Sequence, residues 1–142
     1  QIYDSGSSGV TTVADSVTYY ECTIDASALT ANPYLFDSPA TGRLRYTGTN
    51  PVMMKVACSA TVTTSAGTSM DLDFVLGKNG TADASSLIQY THLLAASKVS
   101  VTVFLLVSVV QNDYVSLMVK NTTDTNNVVV TNISLQATGI II

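Results

Sequence analysis

The sequence predicts an all-β protein, a two-layered sandwich of about eight antiparallel strands, and three observations predict it. Long runs alternate between apolar and polar positions, the period of a half-buried strand. Turn signals built from Asn, Gly, Asp, Ser and Pro separate these runs at short intervals. No segment repeats its apolar residues at the helical spacing of three and four.

The totals agree. A chain of 142 residues is long enough to bury a core as one domain. Hydrophobic residues make up 46% and charged residues 11%, so Ser, Thr and Asn fill the place that charge usually takes. Many β-branched residues and little charge are the opposite of a disordered composition. A net charge of −4, with six scattered basic residues, supplies no phosphate-binding patch, so no nucleic-acid partner is expected. No apolar run reaches the roughly 18 to 20 residues of a membrane helix, so no membrane partner is expected.

Residues 1–16 are rich in Gly, Ser and Thr without a period and read as an extended N-terminal arm; residues 17–142 form the sandwich domain. Val17–Ala26 predicts a strand with Tyr20, Cys22, Ile24 and Ala26 on one face. Ser27–Gly42 is a loop that nonetheless carries Tyr34, Leu35 and Phe36. Arg43–Thr47 is a short strand with Leu44 and Tyr46 inward. Val52–Thr63 alternates cleanly, with Val52, Met54, Val56, Cys58, Ala60 and Val62 inward. Met70–Lys78 points Met70, Leu72, Phe74 and Leu76 inward and runs into Asn79-Gly80, the strongest turn signal in the chain.

Across Thr81–Leu94 the pattern weakens, though Ile88, Tyr90, His92 and Leu94 fit one face of a strand. Val99–Val110 has only apolar residues at its odd positions, which marks it as a central strand. Its even face is apolar in the middle, at Phe104 and Leu106, and asks for a second cover: an arm, a helix or another copy of the chain. Tyr114–Lys120 points Val115, Leu117 and Val119 inward, and Val128–Thr138 does so with Val129, Thr131, Ile133, Leu135 and Ala137. Eight such strands favour a jelly roll. An immunoglobulin-like sandwich usually carries a core Trp beside a disulfide, and this chain has no Trp. Its two cysteines, Cys22 and Cys58, both read as inward; buried free thiols are the expectation and a disulfide the alternative.

The order of the pieces adds a resemblance. Arg45-Tyr46-Thr47-Gly48 precedes a long alternating strand, and Leu76-Gly77-Lys78-Asn79-Gly80 closes the next. The apolar strand then runs into Gln111-Asn112-Asp113-Tyr114-Val115-Ser116-Leu117. From about Arg43 onward this resembles the trimeric jelly rolls of the tumour-necrosis-factor and complement type found on bacteriophage virions. Those chains often show Tyr-Thr-Gly, a Lys-Asn-Gly hairpin and Gly-Asp-Tyr; here Asn112 replaces the Gly. The resemblance implies a homotrimer at the virion surface that decorates a capsid or caps a fibre, and it brings no catalytic residue.

The residues offer little chemistry of their own. His92 is the only histidine, and no Gly-x-Ser-x-Gly elbow accompanies it. Asp71 and Asp73 share one side of a strand, the pattern of a calcium site or an acid/base pair, but a wet sheet face explains them fully. Of three glycosylation sequons, those at Asn79 and Asn121 read as accessible and that at Asn132 as mid-strand. The expected sites are therefore contacts. Phe104 and Leu106 are candidates for a subunit interface, and Tyr3, Tyr19, Tyr20, Tyr34 and Phe36 for contacts to a capsid or neighbour. The bland alternative for these aromatics is that they staple the N-terminal segment to its own sandwich.

The expected function is that of a non-enzymatic capsid decoration or cement protein on the virion surface. It needs no cofactor, and its partners are itself and the major capsid protein or other virion proteins. A receptor- or glycan-binding fibre head is the first alternative, and a secreted hydrolase using Asp71 and Asp73 the second.

Overall fold

The computed structural model describes residues 1–24, 35–40, 42–65, 69–92 and 97–140. Eleven strands occur among them: β1 Ile2–Thr11, β2 Tyr20–Glu21, β3 Phe36–Asp37, β4 Arg43–Tyr46, β5 Val52–Thr64, β6 Met70–Lys78, β7 Thr81–Ala82, β8 Ile88–His92, β9 Val99–Val109, β10 Tyr114–Asn121 and β11 Val128–Ile140. One short 3-10 turn, Ala84–Ser86, follows β7.

The strands form two antiparallel sheets. One has the order β1-β11-β5-β9; the other runs β3-β4-β10-β6-β7, with β2 also on β10 and β8 also on β6. Strands β4 and β2 pair with successive stretches of β10, and β7 and β8 with successive stretches of β6. With each of these pairs counted as one broken strand and the two-residue β3 beside β4 set apart, eight positions remain. The first pairs with the eighth, the second with the seventh, the third with the sixth and the fourth with the fifth. That is the rolled-up connectivity of a jelly roll. The inward residues of β5, β6 and β10 make the core as their alternation requires, with Met54, Val56, Leu72, Phe74, Val115 and Val119 fully buried.

Several elements differ from the sequence reading. The N-terminal segment is extended, but Ile2–Thr11 pair with β11 and form an edge strand of the sandwich, so the boundary at residue 16 separates no free arm. Its Ser/Gly-rich sequence hid this because backbone pairing to β11 holds it, whatever the side chains. Of the strand expected at Val17–Ala26, Tyr20–Glu21 form β2 and the Cys22 amide still donates to the Leu117 carbonyl at 2.8 Å; Cys22 and Ile24 are buried as expected, and Asp25 and Ala26 lie outside the described residues. Among the described residues strand β9 lies at the edge of its sheet, paired with β5 alone. Alternation reports that one face is buried, and an edge strand can bury a face as completely as a central one.

In β11 the inward residues are Val128, Val130, Ile133 and Leu135. The register shifts between Val130 and Asn132, so a β-bulge at Thr131 reverses the parity that uninterrupted alternation assumes. Ile88 and Tyr90, read as an inward face, are 41% and 36% exposed, because β8 pairs only with the outer edge of β6. His92 closes β8, and Leu94 lies outside the described residues. Both cysteines are buried free thiols, and burial pushes the Cys22 thiol up to about 12 and the Cys58 thiol up as well.

The three short motifs that carry the resemblance meet at one end of the sandwich. The Tyr46 amide donates to the Asp113 carbonyl and the Asn112 amide to the Tyr46 carbonyl, each at 2.8 Å. The Asn79 side chain bridges the same turn: its Nδ2 donates to Asp113 Oδ1 at 2.6 Å and its Oδ1 accepts from the Tyr114 amide at 2.9 Å. Lys78 Nζ stands 3.2 Å from Asp113 Oδ2, and the Val110 amide donates to the same oxygen at 3.0 Å.

Local geometry explains the residue types. Asn79 and Gly80 both have positive φ, 52° and 76°, as the tight hairpin after β6 requires. Asn112 has φ 73°, a conformation Gly adopts freely and Asn better than most other residues, which accounts for Asn where the resembling chains carry Gly. A Cβ on Gly48 would collide with the Tyr46 phenol, whose Oη donates to the Asn50 carbonyl at 2.8 Å.

Burial alone would raise the Asp113 carboxyl, but the Val110 amide, the Asn79 amide and the Lys78 ammonium outweigh it and hold it below the usual carboxylate range. Arg45 lowers Asp37, Ser85 lowers Asp83, and the amides of Val17 and Thr18 bring Asp15 down to about 2. Groups lowered on folding stabilise the native state above the unfolded carboxylate value and lose that contribution as pH falls through the native values. Melting temperature should therefore be level down to about pH 5 and fall from about pH 4 downward. Thermal melts across this range test it, and a melting temperature that stays level to about pH 2 overturns it. Asp113→Ala should cost about 3 kcal/mol in urea unfolding, because it strips the Val110 amide, the Asn79 amide group and the Lys78 ammonium of their shared acceptor.

Candidate functional site

The outer face of the four-stranded sheet is the surface that distinguishes this molecule. Register fixes which side chains share it. One row across the sheet is Tyr3, Ser134, Ser59 and Thr102; the next includes Gln136, Ala57 and Phe104, and the next Thr138, Lys55 and Leu106. Phe104 is 59% exposed and Leu106 62%. Among the described residues no other part of the chain covers them.

Charge is distributed unequally between the two sheets. Among the described strand positions of this outer face, Lys55 is the single charged residue. The ion pairs Arg43–Glu21, Arg45–Asp37, Lys78–Asp113 and Lys120–Asp73 all belong to the other sheet or the loops at its ends. Beside the exposed apolar pair the neutral face dips into a groove of about 390 Å³, lined by Tyr3, Ser59, Thr61, Ser100, Asn132 and Ser134. A face depleted in charge, with large apolar side chains at one edge and small hydroxyls beside them, is suited to being covered by a flat partner surface. Full burial of Phe104 and Leu106 would contribute about 1.5–3 kcal/mol each.

The expected contact aromatics do not gather into one patch. Tyr3 shares the outer face with Phe104 and Leu106. Tyr19 lies on the other sheet, its ring 4.6 Å from Lys120 Nζ and its hydroxyl 3.4 Å from Asp73 Oδ2. Tyr20 packs on the core and donates to Asp15 Oδ2 at 2.9 Å. Phe36 packs its ring, tilted by 59°, against that of Tyr46, with the centroids 5.7 Å apart. Tyr34 lies outside the described residues. The half-buried Tyr19, Tyr20 and Phe36 thus pin the N-terminal third of the chain to its own sandwich.

The two carboxylates of β6 share a side but not a role. Asp73 is 4% exposed, so the wet face that the sequence assigned to it is covered by Tyr19, Gln89 and Lys120. Its Oδ1 accepts from Gln89 Nε2 at 3.0 Å and its Oδ2 faces Lys120 Nζ at 2.9 Å. Asp71 remains exposed and accepts from the Thr91 hydroxyl at 2.6 Å. Both carboxylates are engaged, and among the described residues no group of three or more His, Cys, Asp and Glu is placed to hold a metal.

Asn121, read as an accessible sequon, is wholly buried. Its Nδ2 donates to Asp124 Oδ1 at 2.6 Å and its Oδ1 accepts from the Thr123 amide at 3.0 Å, which folds the β10–β11 turn. Asn132 lines the groove, and Asn79 commits its amide nitrogen to Asp113. Sequence reasoning missed the companions of Phe104 and Leu106: only register reveals that Ala57 and Lys55 lie directly opposite them. No family model and no curated protein matches this chain.

Asp73→Ala should cost about 3 kcal/mol in urea unfolding, since it leaves the Lys120 ammonium without its counter-charge. Adding Lys120→Met should recover most of the loss. A single variant as stable as the parent would show that the pair contributes nothing.

Proposed function

We propose that this chain is a non-enzymatic structural protein of a virus particle. It is a homotrimeric jelly roll seated on the capsid surface as a decoration or cement protein. The observation that carries the reading is the neutral outer face of the β1-β11-β5-β9 sheet, with Phe104 and Leu106 more than half exposed at its β9 edge. A chain with this much hydroxyl and so little charge has no need to leave a large aromatic and a leucine side by side in water. A second copy of the chain is the simplest cover, and the resemblance of the three turn motifs to trimeric virion proteins supplies the threefold state and the place.

The mechanism is burial and complementarity with no chemical turnover. Closing a ring around a threefold axis joins two different patches of neighbouring copies. The apolar β9 edge and the groove beside Tyr3 are two such patches on one neutral face. The remaining surface is left for the major capsid protein. The fibre-head alternative draws on the same groove, whose tyrosine, amide and hydroxyl lining suits a neutral sugar.

Light scattering on the purified protein should give three times the chain mass. Phe104→Glu with Leu106→Glu should give monomers that keep the β-sheet circular dichroism of the parent. A parent that is monomeric at micromolar concentration overturns the trimer, as does a double variant that stays trimeric and folded. Electron microscopy of the particle should show many copies at a fixed ratio to the capsid protein; a few copies confined to a tail or fibre tip would favour the fibre head.

A further inference from the structure

Asn79-Gly80 is the one Asn-Gly pair in the chain, and both residues are exposed at the tip of the β6–β7 hairpin. Asn-Gly is chemically the most labile of asparagine contexts, because Gly places no side chain in the way of its own backbone nitrogen. Here the asparagine is gripped on three sides. Its Nδ2 donates to Asp113 Oδ1 at 2.6 Å, its Oδ1 accepts from the Tyr114 amide at 2.9 Å, and its own amide donates to the Tyr114 carbonyl at 3.0 Å. The side-chain amide plane is therefore fixed toward β10 and cannot turn freely toward the Gly80 nitrogen.

We propose that Asn79 is a latent deamidation site that the fold holds closed, and that its conversion unlocks the turn-motif end of the sandwich. In the reaction the Gly80 backbone nitrogen attacks Asn79 Cγ. The new N–C bond forms as the Cγ–Nδ2 bond breaks, and ammonia leaves with the proton from Gly80. Water then opens the cyclic imide at either carbonyl, giving aspartate or isoaspartate. Both products lose the donor that now faces Asp113; aspartate puts a carboxylate in its place, so two like charges meet where a 2.6 Å hydrogen bond was, with Lys78 as their shared cation. Isoaspartate also lengthens the main chain by one carbon and disturbs the Lys78–Thr81 pair that closes the hairpin.

The full chain is incubated in mildly alkaline buffer, folded in one sample and unfolded in urea in the other. Peptide mass spectrometry follows the amide-to-acid conversion at Asn79, and isoaspartate methyltransferase labelling confirms the product. The folded sample should convert at least about tenfold more slowly, since reaction then waits on local opening. Equal rates overturn the protective grip. Asn79→Asp mimics one product and should melt well below the parent at neutral pH; a variant that melts with the parent overturns the unlocking. Asp113→Ala, which removes the acceptor of Nδ2, should convert faster than the parent under conditions where circular dichroism shows both folded, and conversion as slow as the parent's overturns the role of that hydrogen bond.

Discussion

The Asp113 carboxylate is the interaction on which one whole end of this sandwich depends. It sits in the turn between β9 and β10, the joint where the chain passes from one sheet to the other. Its two oxygens receive the Val110 amide, the Asn79 amide group and the Lys78 ammonium, while its carbonyl receives the Tyr46 amide. Segments far apart in sequence are thereby held to one point. A charge this buried stands only because each of its partners is a donor, so every member of the group constrains the identity of the others. The three short motifs are one structural device: a strand end, a hairpin and a turn that must fit together.

The two sheets divide the labour. The sheet containing β10 and β6 carries the ion pairs on its outer side and tucks charges such as Asp73 beneath Tyr19 and Lys120. The other sheet is almost without charge outside and keeps Phe104 and Leu106 in the open. Among the described residues one outer surface is thus laced by ion pairs, and the other leaves large apolar side chains exposed. The proposed trimer follows from that division, and the proposed place on a virion from the turn motifs.

Much of the architecture was legible in the residues. Strict alternation in Val52–Thr63 and in Val99–Val110 located β5 and β9 and their inward faces almost to the residue, because period two has a single structural meaning when one face is buried. Asn79-Gly80 located a hairpin because few residues accept positive φ. The apolar even face of β9 was legible too, at Phe104 and Leu106, but whether an arm, a helix or another copy covers it was not, because alternation reports the character of a face and not its neighbour. The aromatic residues before position 37 were less informative, since a tyrosine's type does not tell whether it faces a neighbour or its own core.

What the sequence by itself determined is therefore local: which segments are strands, which side of each is apolar, and where the chain turns. Tertiary structure alone decided the lateral order. Nothing in the residues of β9 distinguishes an edge from a centre, because hydrogen-bond partners along the sheet are chosen by backbone groups common to all residues. For the same reason the Ser/Gly-rich start of the chain became a strand, and a single bulge at Thr131 turned over the face of β11. The neutral outer surface exists only once β1, β11, β5 and β9 lie side by side. Before that, Tyr3 and Phe104 are simply two aromatics a hundred residues apart in the sequence.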